Sequence, residues 1–131
     1  MEIIISFITA TVIMGFLDFL WLTVIAKKLY YAEMGSLLRK KPNLPAAMGF
    51  YVIYLFGLMV LVIEPALARD SVYFAASMGA TVGFVAYATY DLTNLATLKG
   101  FSPKIAFIDI AWGTILTLLT ATGAVAVAGL M

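Results

Sequence analysis

Four apolar stretches, residues 3–26, 46–63, 72–98 and 104–129, occupy most of the chain. A helix needs about 20 residues at 1.5 Å each to cross a hydrocarbon core, and each stretch meets or approaches that length. Backbone placed in lipid finds no water to bond, so such a segment must satisfy its own N–H and C=O groups, as a helix does. Charged residues make up 11% of the chain, against about 25% in soluble domains, which agrees with a lipid-embedded molecule. The expected fold is all-α: a four-transmembrane-helix bundle, one integral membrane domain over residues 1–131.

The same composition closes off much chemistry. There is no cysteine and no histidine, which removes disulfides, thiol nucleophiles, zinc–thiolate sites, imidazole bases and histidine-ligated haem. Seven methionines are packing residues before they are soft ligands. A net charge of +1 offers no argument for nucleic acid. No cofactor is specified.

Between the first two spans, residues 27–45 form a polar connection with Lys27, Lys28, Arg39, Lys40 and Lys41. Tyr30, Met34, Leu37 and Leu38 recur there at helical spacing, which predicts a short amphipathic helix in the membrane interface. Asn43 is placed to cap the next helix, with Pro45 in its first turn. Glu64-Pro65 is expected to stop the second span, and residues 64–71 to form a short turn with an Arg–Asp pair. Lys99-Gly100 reads as a helix exit, and Ser102-Pro103 as an N-cap followed by proline. The first span lacks the basic start and small-residue cleavage site of a signal peptide, so it is expected to remain. Seven of the eight Lys/Arg lie in the first and third connections. The positive-inside rule then puts those connections in the cytoplasm and both termini outside a bacterial inner membrane.

Polar groups inside the spans are few and grouped. Counting from the nearest connection lysines at 1.5 Å per residue, Asp18, Asp91 and Asp109 lie roughly 13, 12 and 8 Å below the cytoplasmic charge belt. Three helices therefore bring an acid to similar depth, and no span carries a cation at that level. A lone ionised carboxylate there costs at least ~2.5–3.5 kcal/mol on insertion scales. The acids must be protonated, share hydrogen bonds or hold something cationic, and clustered acids titrate as a group. Two plainer accounts stand beside a functional site. Each acid is a neutral structural group bonded to Asn94, Thr93 or a tyrosine, or Asp91 and Asp109 are wetted by the headgroups.

Tyr87, Tyr90, Asp91 and Asn94 share one helical face, which continues backwards through Gly83 and Gly79. That G-x-x-x-G spacing lets another helix approach closely, so Gly79 and Gly83 are also the expected seam of a homo-oligomer. On the fourth span, Gly113, Thr117 and Thr120 form a stripe. Asp18-x-x-Trp21-x-Thr23 and Asp109-x-x-Trp112-x-Thr114 repeat one spacing in which acid and indole share a face, the indole N–H being able to meet an acceptor. An interfacial aromatic belt is the alternative account, better suited to Trp21 than to the deeper Trp112.

Asp18-Phe-Leu-Trp21-Leu, Tyr30-Tyr31 with Leu37-Leu38 and Pro42-Asn43, Tyr90-Asp91-Leu-Thr-Asn94-Leu-Ala-Thr97-Leu-Lys-Gly100 and Asp109-Ile-Ala-Trp112-Gly113 match one pattern. The chain resembles, over nearly its whole length, the DUF2177 family of small bacterial membrane proteins, a domain of unknown function. Phe101 stands where that pattern leads one to expect tryptophan. The resemblance implies a four-helix inner-membrane protein and assigns no catalytic residue.

Three functions compete at this level. The first is a carrier or channel component for protons, a cation or a small cationic or hydroxylated ligand. Asp18, Asp91 and Asp109 would be its exchangeable acids, with Asn94, Thr93, Tyr87, Tyr90, Trp21 and Trp112 as positioning groups. The second is a lipid-modifying enzyme using the acids for Mg²⁺ or acid–base work, although no phosphate-binding motif is present. The third is a non-catalytic subunit docked through Gly79/Gly83 or the tyrosine-rich second span. The basic first connection also suits anionic headgroups, although cations there more often only set topology.

Overall fold

In the computed structural model, which describes residues 1–35 and 43–130, the regular structure is helical. α1 (Glu2–Leu20) runs into a π-helical turn (Trp21–Ile25) and then α2 (Lys27–Met34). α3 (Leu44–Leu58) passes through a second π-helical turn (Met59–Ile63) into α4 (Glu64–Arg69), and α5 (Val72–Thr97) and α6 (Pro103–Gly129) follow. These make four apolar helical runs long enough to cross a membrane: Glu2–Ile25, Leu44–Arg69, Val72–Thr97 and Pro103–Gly129. α2 is the short helix expected after the first span. The rest of that expected amphipathic segment, with Leu37, Leu38, Arg39, Lys40, Lys41 and Pro42, lies outside the described residues.

The caps follow from side chains placed to accept orphan N–H groups. Asn43 accepts from the Ala46 N–H at 3.2 Å, Ser71 from Phe74 at 3.0 Å and Ser102 from Ile105 at 3.2 Å. Pro45 and Pro103 stand in the first turns they open. α5 leaves through Gly100, whose φ of 78° suits a residue without a Cβ.

One expectation fails at Glu64-Pro65, which does not stop the second span. Proline removes a backbone donor and crowds the carbonyl four residues back. The wider π-helical turn directly before Pro65 accommodates both defects, and the helix continues to Arg69. The Arg69 guanidinium bonds to the Pro65 carbonyl at 3.3 Å and lies 4.3 Å over the Phe74 ring, in place of the expected partnership with Asp70.

Lipid tails are as apolar as leucine, so helices in a bilayer associate through close packing and interhelical polar bonds. α6 is the central element, pairing most extensively with α5 and next with α1. It presents Leu116, Ala121, Ala124 and Val125 to a core completed by Ala10, Met14, Leu58, Val62, Ile63 and Ala75. Large apolar side chains such as Phe7, Phe16, Phe19, Ile53, Phe56 and Phe107 point outward, as expected of helices solvated by acyl chains.

The glycine seam belongs to this packing. A Cβ added to Gly83 would come 2.6 Å from the Gly113 carbonyl oxygen and 2.7 Å from Thr117 Cβ; one on Gly79 would sit 3.1 Å from Ala121 Cβ. The helix that Gly79 and Gly83 admit is α6 of the same chain. Within one chain, this small-residue groove is therefore filled by α6.

Candidate functional site

The α5–α6 register brings the acids together. The helices run antiparallel, and each turn forward along α5 meets one turn back along α6: Gly79 faces Ala121 and Thr117, Gly83 faces Thr117 and Gly113, and Tyr87 lays its ring against Gly113. One more turn carries Asp91 beside Asp109, near enough for the two carboxyls to interact. Asp91 is only 1% exposed, and among the described residues no N–H or O–H group donates to either of its oxygens.

Asp109 is held from outside the bundle core. The Tyr30 hydroxyl, from α2, donates to Asp109 Oδ1 at 2.9 Å, and the Trp21 indole N–H donates to the Tyr30 oxygen at 2.9 Å. Burial is the main cause that pushes the Tyr30 phenol above its ordinary value near 10, and the negative Asp109 adds to it, against the opposing Trp21 bond. Tyr30 therefore remains a donor at neutral pH.

Asp18 is satisfied separately. Tyr51 of α3 donates to its Oδ2, and the Trp112 indole N–H donates to its Oδ1 at 3.2 Å. The two indoles lie flat on one another, ring centres 4.5 Å apart and planes 4° from parallel. The network thus runs from Asp18 through Trp112, across the stack to Trp21, and on through Tyr30 to Asp109. Its acceptors and donors lie on α1, α2, α3 and α6.

Beside the acid pair lies a cleft of about 440 Å³, lined by Phe50, Tyr54, Ala86, Tyr87, Tyr90 and Asp109. Tyr54 bonds to the Thr117 hydroxyl at 2.7 Å, and Thr117 in turn donates to the Gly113 carbonyl at 2.7 Å. Tyr54 meets Tyr87 edge to face at 6.2 Å and Phe50 nearly parallel at 5.4 Å.

Of the residues singled out in the sequence, Asp18, Trp21, Trp112 and Asp109 join one network, Asp91 adjoins it, and Tyr87 and Tyr90 line the cleft. Asn94 is half-buried near Tyr90. Thr93 is exposed and its backbone carbonyl serves Thr97, so it does not join the acids. Asp18 has its own two donors, Tyr51 and Trp112, while Asp91 lies beside Asp109. Among the described residues no three of Asp, Glu, His and Cys converge as a metal-binding group. The hydrogen-bond donors to Asp18 and Asp109 among the described residues are Tyr30, Tyr51 and Trp112, none of them a cation.

Sequence reasoning did not select Tyr30, Tyr51, Tyr54 or Phe50 as site residues. The available signal was the pair Tyr51 and Tyr54, phenols in a span with no charge. Other hydroxyls mislead. Thr11, Thr23, Thr81, Thr89 and Thr97 bond back to carbonyls four residues earlier on their own helices, which makes them compatible with lipid without marking a site.

Four lipid-length helices around an internal polar network define an integral membrane protein. A family model described as Predicted membrane protein (DUF2177) matches residues 3–126, and the chain belongs to that family. No curated protein and no solved structure matches the chain.

Proposed function

We propose that the protein is a membrane-embedded carrier component that binds a small cationic or polar ligand in exchange for a proton, with Asp91 and Asp109 as the exchanging pair. The observation that carries this is Asp91 itself, buried beside a second carboxyl and with no donor to its oxygens among the described residues. A bare carboxylate in that place costs at least ~2.5–3.5 kcal/mol. The pair therefore holds either a shared proton or a cation supplied from outside the chain, and alternation between those two states is the minimum that coupled exchange requires. Tyr30, Trp21, Trp112 and Tyr51 fix the neighbouring acids as positioning groups.

The polar network stops part-way along the bundle. Past Thr117 the core is mainly Ala10, Met14, Leu58, Val62, Ala121 and Ala124, with the buried hydroxyls of Thr120 and Ser6 but no further carboxyl. Among the described residues the buried acids therefore stay at one end, and two copies would supply the two halves. The lysine-rich connections support, through the positive-inside rule, a reading with the acid-bearing end at the cytoplasmic face of a bacterial inner membrane and both termini outside. The test is flux into liposomes holding the purified protein. Proton movement coupled to an added cation is expected, and Asp91→Asn is expected to abolish it. If neither protons nor any organic or alkali cation tried moves in an Asp91-dependent way, the carrier is ruled out.

A further inference from the structure

The cleft next to the acid pair has features that the exchange of protons does not require. Its volume of about 440 Å³ falls within the roughly 300–1,000 Å³ of small-molecule sites. Phe50, Tyr54, Tyr87 and Tyr90 supply four rings, with Tyr54 and Tyr87 81° from parallel, and Asp109 is the one carboxylate among the lining residues. A bare inorganic cation takes six or so oxygens in place of its hydration shell. The side chains lining this cleft offer at most three phenol oxygens and the two of one carboxyl, fewer than such a shell needs. Four aromatic rings around a single carboxyl are instead suited to an alkylated ammonium, which is attracted to aromatic rings and sheds water readily.

The way in is lateral. Phe50 is 44% and Tyr90 59% exposed. The backbones of α3 and α5, which carry them, stand apart and meet through side chains such as Tyr54 and Tyr87. Phe50 is six residues into α3 and Asp109 six into α6, about 9 Å from those helix ends. The opening therefore faces the acyl chains just beneath the headgroups. Taking the binding site proposed above and naming its ligand class, we infer that this cleft seats the ammonium head of a cationic amphiphile whose tail stays among the lipid chains. Charge complementarity with Asp109 holds the head, the rings enclose it, and the gap between α3 and α5 lets the tail leave.

The experiment is equilibrium binding of tritiated dodecyltrimethylammonium to the full chain in non-ionic maltoside micelles, measured as the excess over empty micelles. Saturable binding is expected, displaced by the unlabelled amphiphile but not by equal concentrations of dodecanol or tetramethylammonium. D109N, and separately the double variant F50L/Y90L, are expected to weaken it by about tenfold or more. Asn retains an acceptor for Tyr30, and Leu at the two exposed positions keeps apolar bulk, so both variants are chosen to preserve the fold. Binding unchanged in either variant overturns the inference, as does equal displacement by dodecanol or by tetramethylammonium. If the amphiphile fails to bind while Asp91-dependent proton flux persists, the ligand class falls and the carrier stands. Binding without any flux removes the carrier and leaves the ligand class in place.

Discussion

The Trp112 indole donates to Asp18 at 3.2 Å, on a different helix, and not to Asp109, the acid three residues before it on its own. Trp21 likewise reaches Asp109 only through Tyr30. The two matching acid–indole spacings thus serve each other's carboxylates, and the stack between the indoles joins α1 to α6.

That exchange makes Trp112→Phe a test of the helix contact. The aromatic ring would remain, while Asp18 would lose one of its two donors. Interhelical hydrogen bonds in membranes average about 0.6 kcal/mol and reach about 1.7, so a loss of about 1 kcal/mol is expected in reversible unfolding from micelles. Trp21→Phe should cost a similar amount, and the double variant less than the sum, because both act on one network.

Gly113 and Gly83 set how closely α5 and α6 approach. Gly113→Ala would drive a methyl group into the Tyr87 ring, and Gly83→Ala would press one against Gly113 and Thr117. Each should destabilise the bundle by about 1–3 kcal/mol. Gly15→Ala has open space around it and should be neutral or slightly stabilising. Tyr87→Ala is expected to recover part of the Gly113→Ala loss, measured on the same unfolding curves.

Asp91 should show stability and function pulling in opposite directions. Removing a buried polar group that lacks a partner relieves a desolvation cost. Asp91→Leu is therefore expected to unfold at the same denaturant concentration as the parent chain or a higher one, while losing ligand-coupled flux. A clear drop in its unfolding midpoint would show that the carboxyl is a structural bonding partner after all.

Alkaline pH should release α2. The Tyr30 phenol is pushed above its ordinary value near 10, chiefly by burial and further by Asp109. A group raised in this way contributes fully below its unfolded pKa and loses that contribution as pH climbs through and beyond it. The stability difference between the parent chain and Tyr30→Phe should accordingly be constant at neutral pH and shrink above about pH 10. A difference that does not change with pH would mean that Tyr30 is not the titrating donor.

The span count and the acid-bearing helices could be read from sequence because bilayer physics leaves few options for long apolar runs. Asp91 and Asp109 could be placed at similar depth by counting helical residues from Lys99 and Lys104. The register that sets them side by side comes instead from Gly79 and Gly83 packing on Gly113, Thr117 and Ala121. The partition of the acids could not be read, since it depends on phenols. Tyr30 reaches Asp109 from 79 residues away in the chain, and Tyr51 reaches Asp18 across 33. Spacing within one helix says nothing about such contacts. Pro65 misled for a related reason, because its effect is absorbed by a π-helical turn whose Met-Val-Leu-Val-Ile sequence carries no distinguishing mark.

α2 lies between the first two membrane-crossing runs, yet it provides the hydroxyl that holds Asp109. The same helix is moored to the start of α6 by Ser102, which donates to Glu33 at 3.1 Å. Detaching it would strip Asp109 of its donor and Trp21 of its acceptor in one movement. A label on exposed Lys27 or Lys28 would therefore sense, from the aqueous side, whether the carboxylate beneath is still covered.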